Sequence, residues 1–143
     1  MKTTNTGSAT YQGLGKDGKG HISTGSASLS AIPYGFNTRF EDGPGTNPEE
    51  LIAAAHASCF TMALSFKLAE SGHTDGTLTT SSTVTLEKGD DGFAVTKSEL
   101  TTKGKVPGLA QETFEKLAED AKSGCPISKL LDCEITLTTR FEG

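Results

Sequence analysis

Apolar residues are scarce in this chain. Only 34% of its 143 residues are hydrophobic, so a core has to be concentrated in a few segments. Basic charge is scarce as well: 13 Lys and Arg stand against 18 Asp and Glu, a net charge of −5. No basic cluster breaks the row, which argues against nucleic acid as a partner. Cysteine is limited to Cys59, Cys125 and Cys133, with no CxxC pair. An odd number of thiols after a polar start without an apolar secretion segment argues against a disulfide framework. The expectation is one soluble, cytoplasmic domain over residues 1–143, with no membrane span. No GxSxG occurs, so a hydrolase nucleophile elbow is not expected.

What is present is one stretch that organises the rest, NPEELIAAAHASCFTMALSFKLAESG, over residues 47–72. Asn47 is a good N-cap, Pro48 suits the first helical position, and Glu50 completes a capping box with Asn47. Gly72 supplies the stop. Between them lie about 24 residues, or roughly 36 Å of helix. Apolar residues fall on every face between Leu51 and Phe66, and no side chain there is charged. A helix of that kind is expected to be buried all round, by the rest of the fold or by a second copy. Cys59 sits near its middle.

The flanking segments alternate or turn. Residues 1–35 read as short strands broken by Gly-rich turns, with Ile22 and residues 27–32 as strand material. Residues 33–46 read as a loop holding Tyr34, Phe36, Arg39 and Phe40, a candidate pocket wall. Residues 77–87 and 93–103 read as strands joined by a turn, the second with a shift in alternation that suggests a bulge. Ala110, Phe114, Leu117, Ala118 and Ala121 recur at helical spacing, and Gly124 ends that helix. A short helical turn follows Cys125-Pro126, and residues 135–141 close the chain as a strand. Strands neighbouring in sequence are mostly hairpin-linked, so the class is α+β with a largely antiparallel sheet.

The chemistry centres on the thiols. Gly124-Cys125-Pro126 puts one sulfur at the start of a helical turn, where backbone N–H groups favour a thiolate. Cys59, in apolar surroundings, is expected to have a raised pKa unless a cation or donor reaches it. His56 lies three residues earlier on the same helix, so a His–Cys pair is one possibility, and Arg39 is another cation source. Glu49 is not needed for capping. It stands ten residues before Cys59, about 15 Å along a straight helix, so the two can act together only across two subunits or a broken helix. His56, Cys59, Cys125 and Cys133 can be counted as four zinc ligands, but structural zinc favours closely spaced pairs on turns, and no metal is expected.

Taken together, YGFNTRFE at 34–41, GTNPEELI at 45–52, AAHASCF at 54–60 and GCPIS at 124–128 closely resemble the osmotically inducible protein C (OsmC) family. The match is nearer to that branch than to the sister organic hydroperoxide resistance proteins. The resemblance implies an OsmC-like α+β fold, with a sheet wrapped around a long buried central helix and two chains intertwined as a homodimer. It implies a thiol-dependent peroxidase that reduces organic hydroperoxides and is reset by an external dithiol of lipoyl type, with no cofactor. Carried onto this sequence, Cys59 is the peroxidatic thiol and Cys125 the resolving thiol. Arg39 activates Cys59 from the opposite chain and is oriented by a carboxylate matching Glu49. Cys133 matches no functional position. The alternative is a dimeric stress or ligand-binding protein whose thiols sense oxidation without turnover.

Overall fold

The computed structural model describes residues 1–143. It divides into two compact units, Met1–Leu51 and Ile52–Gly143. The first holds an antiparallel sheet ordered β1-β2-β3, from β1 (Gly7–Gln12), β2 (Lys19–Thr24) and β3 (Ile32–Tyr34). Residues 27–32, expected as strand, are instead mostly a turn with Ala27 and Ala31 at positive φ. Short hydroxyl side chains take over the backbone pairing there. Thr24 Oγ1 accepts from Leu29 N, and Ser23 Oγ accepts from Ala31 N. The expected loop after Tyr34 contains a five-residue helix, α1 (Phe36–Phe40), closed by Thr38 Oγ1 accepting from Gly35 N.

The long helix α2 runs from Pro48 to Glu70. Asn47 Oδ1 accepts from Glu50 N at 2.8 Å, as the cap requires. The Glu50 carboxylate does not complete the box; it accepts from Thr46 Oγ1 at 2.7 Å. The helix ends as Gly72 predicts. Gly72 lies at φ 92°, with its N–H on Ala69 O and His73 N–H on Leu68 O. That is the pattern of a left-handed C-terminal stop.

In the second unit, β4 (Thr77–Gly89) and β5 (Gly92–Lys105) form an antiparallel hairpin. The last strand, β6 (Glu134–Glu142), pairs parallel to β5, because α3 (Gln111–Gly124) and α4 (Pro126–Leu130) carry the chain back across the sheet. The sheet order is β4-β5-β6. The expected bulge is real. Thr85 pairs with Lys97 but Leu86 pairs with Val95, leaving Thr96 as the extra residue. Beyond it the even positions Ser98, Leu100, Thr102 and Gly104 are the buried ones.

The core joins Phe60, Leu64 and Leu68 of α2, Leu100 of β5, and Phe114, Ala118 and Ala121 of α3. Phe114 also meets Phe141 of β6, ring centres 4.8 Å apart. The expectation that α2 is covered all round does not hold within one chain. Its buried residues, His56, Phe60, Leu64 and Leu68, form a single stripe at spacing four. On the opposite face Met62 and Phe66 are 61% and 62% exposed. Length and composition alone would let α2 cross a membrane, with mean hydropathy 1.4. Within one chain only 22% of that apolar window is buried, Phe60 and Leu64 fully.

Candidate active site

The two cysteine motifs converge in the second unit. Cys125 is fully buried, and it is both the residue after α3 and the N-cap of α4. Pro126 opens α4, which turns the N–H of Ser128 back onto Cys125 Sγ at 3.3 Å. The Ser128 hydroxyl donates to the same sulfur at 3.5 Å. Burial pushes the Cys125 thiol up, but the bonds from Ser128, from Cys59 and from the Ile127 backbone outweigh it, and the net direction is down. Cys59 packs against the core cluster that contains Cys125, and each thiol shifts the other's pKa. The Cys59 thiol is pushed up chiefly by burial, against a lowering by the Ile127 backbone, and Cys125 adds to the rise. The sequence reading of the more acidic thiol therefore holds: it is Cys125.

His56 is where that reading needs correction. It does not pair with Cys59. Its Nε2 lies 2.7 Å from Ser128 Oγ and its Nδ1 2.6 Å from Ser98 Oγ, both in the buried interior. With both ring nitrogens engaged, His56 is not free for a metal, and the four counted zinc ligands do not form a cluster. Burial pushes its pKa below 6.5, so the imidazole is neutral at pH 7. Ser98 and Ser128 were missed as site residues. Ser128 had a local signal, three positions after a cap residue; Ser98 had none, because 42 residues separate it from His56.

In the first unit, α1 and the start of α2 bring Arg39 and Glu49 together. Arg39 Nε donates to Glu49 Oε1 at 2.8 Å and Nη2 to Oε2 at 2.9 Å, a bidentate fork. The Glu49 hydrogen bond raises the Arg39 pKa. The carboxylate that orients Arg39 is thus Glu49, while Glu50 is engaged by Thr46. The Arg39 guanidinium also lies over the Phe40 ring, 5.6 Å from its centre. Tyr11, Tyr34, Phe36, Phe40 and Arg39 line an open hollow of about 490 Å³. Phe60 is plain core. Met62 instead borders a groove of about 840 Å³ along the exposed side of α2, with Ser58, Phe66 and Leu78. Cys133 is half-buried, its thiol pushed up by burial and by Asp132 and Glu134.

A buried thiol held toward the thiolate by fixed donors, with a second, half-buried thiol packed near it, is the arrangement of a thiol-based redox protein. The comparisons narrow that class. The OsmC-like protein family model matches residues 41–140, and this chain belongs to that family. It is 53% identical over 131 residues to "Peroxiredoxin OsmC" of Escherichia coli, covering 92% of each chain. It is 33% identical over 127 residues to "Organic hydroperoxide resistance protein-like 1" of Staphylococcus epidermidis, covering 87% of each. Among solved structures, an organic hydroperoxide resistance protein from Elizabethkingia anophelis superposes with TM-score 0.75 at 27% identity. That alignment covers 99% of this chain and 100% of the other. The α+β fold expected from the sequence is shared with that solved structure, and this chain holds two small sheets where one had been expected.

Proposed function

We propose that this chain is a cysteine-based peroxidase that reduces organic hydroperoxides to alcohols, and hydrogen peroxide more weakly, in oxidative and osmotic stress defence. One observation carries the reading: Cys59 packs against the core cluster that holds Cys125, and each thiol acts on the other's ionisation, in a member of the OsmC family. The Cys59 thiolate attacks the distal peroxide oxygen. The O–O bond breaks, the alkoxide leaves and takes a proton, and Cys59 becomes a sulfenic acid. Cys125 then displaces hydroxide from that sulfur to give a Cys59–Cys125 disulfide. An external dithiol of lipoyl type resets the pair by thiol–disulfide exchange.

The unit that carries Cys59 leaves its thiol raised, with only burial, Cys125 and a backbone N–H acting on it. A cation is needed to make it the nucleophile, and Arg39 is the candidate: permanently charged and preoriented by Glu49. We read the 143 residues as one OsmC-like domain working in the cytoplasm as a homodimer. In that dimer, Arg39 and Glu49 of one chain serve Cys59 of the other. The exposed apolar face of α2 supports this, because Met62 and Phe66 offer a second copy a surface to cover.

The test is turnover of cumene hydroperoxide and hydrogen peroxide with dihydrolipoamide, thioredoxin and glutathione offered separately. Cys59→Ser is expected to abolish turnover with every reductant. Cys125→Ser is expected to consume one equivalent of peroxide and stop as a sulfenic acid on Cys59, seen by mass spectrometry. Undiminished turnover by Cys59→Ser overturns the assignment.

A further inference from the structure

A line of polar side chains runs from the β4 edge of the sheet to the buried Cys125 thiol, and the peroxidase chemistry above uses only its last atom. Ser82 Oγ lies 3.0 Å from Ser98 Oγ, Ser98 Oγ 2.6 Å from His56 Nδ1, His56 Nε2 2.7 Å from Ser128 Oγ, and Ser128 Oγ 3.5 Å from Cys125 Sγ. His56 and Ser98 are fully buried and Ser128 nearly so, while Ser82 is half-buried. A neutral imidazole has one donor and one acceptor nitrogen, and each hydroxyl has one hydrogen. Those counts fix the line as a whole. If Ser128 donates to the sulfur, its oxygen must accept from His56 Nε2–H. Nδ1 must then accept from Ser98, and Ser98 must accept from Ser82. Every hydrogen points at Cys125. In the opposite state every hydrogen points at Ser82, and Cys125 carries its own proton. The two states differ by one proton delivered from Cys125 to the sheet edge.

We propose that His56 is a positioning residue for the resolving thiol: through the Ser128 hydroxyl it holds Cys125 ready as a thiolate, and it takes that thiol's proton away along Ser98 and Ser82. The step balances. The proton leaves Cys125 through the relay to solvent at Ser82. The Cys125 thiolate attacks the sulfenic sulfur of Cys59, the S–S bond forms, and the S–O bond breaks. Hydroxide leaves and takes a proton from solvent to become water. Cys125 is oxidised to the disulfide level and Cys59 is reduced to it.

The groups facing the relay are few. Cys59 of α2, Ser128 of α4 and the Ile127 backbone act on Cys125. No charged group acts on His56, which faces Ser98 of β5 and Ser128 of α4. A satisfied structural histidine would also make two hydrogen bonds. It would not require that its serine partner end on a reactive sulfur.

The inference rests on the peroxidase reading only for the purpose of the thiolate, and its test is built to stand apart. In a Cys59→Ser, Cys133→Ser background, Cys125 is the one thiol left, and its ionisation is followed by thiolate absorbance near 240 nm without peroxide. Ser128→Ala is expected to raise the midpoint by about one pH unit, the scale of one lost hydrogen bond to a charged acceptor. Ser128→Thr restores the hydroxyl and is expected to bring the midpoint back. Ser98→Ala leaves His56 in place but frees its tautomer, and is expected to move the midpoint in the same direction as Ser128→Ala. It covers the case in which a His56→Gln chain does not fold. In chains with both redox thiols, stopped-flow after one equivalent of cumene hydroperoxide separates sulfenic acid formation from disulfide formation. Ser98→Ala is expected to slow the second phase several-fold at neutral pH, and to recover it as pH rises. Midpoints unchanged in both Ser128→Ala and Ser98→Ala, with only a lowered melting temperature, overturn the relay. A Cys125→Ser chain that still turns over overturns the resolving role instead and leaves the titration result intact.

Discussion

At the scale of the residue, burial and hydrogen-bond geometry decide which groups carry charge. His56 is neutral because nothing around it repays the loss of water. That makes it a liability in acid. Its folded pKa lies below 6.5, while the unfolded chain binds its proton near 6.5. Unfolded molecules therefore bind more protons as pH falls below that value, and the native state loses stability by up to about 1.4 kcal/mol per pH unit from this one group. Melting temperature measured from pH 7.5 to 5 should fall, and His56→Gln should flatten that fall while lowering the plateau. Equal slopes in the two proteins would show that His56 is not the acid-sensitive group. The Arg39–Glu49 fork works differently. At over a third exposed, Arg39 gives the pair little stabilising value, about 1 kcal/mol at most. Its worth is in orientation, because a two-point bond fixes the plane of the guanidinium.

At the scale of the element, two glycines separate backbone strain from packing. Gly72 closes α2 at φ 92°, where an added Cβ would touch nothing within 4 Å. Gly72→Ala should therefore cost only the left-handed penalty, about 1 kcal/mol. Gly104 lies in β5 in ordinary extended backbone, but an added Cβ would press on the Phe114 ring, inside any real contact distance. Phe114 is fully buried between that strand and Phe141 and has nowhere to go. Gly104→Ala should cost about 1–3 kcal/mol by overpacking. Urea denaturation of the two variants checks the order, and Gly72→Ala being the more damaging would contradict it. The bulge at Thr96 belongs to this scale as well. Without it, Ser98 would face away from α2, and His56 would lose its Nδ1 partner.

At the scale of the whole molecule, the exposed side of α2 is the feature that one chain leaves open. Met62 and Phe66 are too large and too apolar to sit in water without a reason, and a groove of about 840 Å³ runs beside them. Met62→Asp with Phe66→Asp should convert the proposed dimer to monomer in light scattering, and peroxidase turnover should fall with it. An unchanged dimer would place the interface elsewhere. The shared site makes a sharper claim. Cys59→Ser chains mixed with Arg39→Ala chains, dissociated and allowed to re-pair, should regain part of the activity that both parents lack. In half of the hybrid's two sites, an intact Cys59 would meet an intact Arg39. Hybrids as inactive as both parents would rule out sharing across chains.

Local spacing determined much of this protein. The cap at Asn47, the stop at Gly72, the alternation on either side of Thr96 and the helical stripe of α3 are all written in short windows of sequence, because each depends on neighbours within one or two turns of chain. The thiol of Cys125 at the head of a turn was legible for the same reason. Three things were decided only by tertiary packing. The strand expected at 27–32 gave way to hydroxyl–backbone bonds that compete with a sheet ladder. Of the burial expected of α2, by the fold or by a second copy, one chain supplies a single stripe, since apolarity says that a face seeks cover but not whether one chain can cover it. The partners of His56 lie 42 and 72 residues away, and no window of sequence reaches that far.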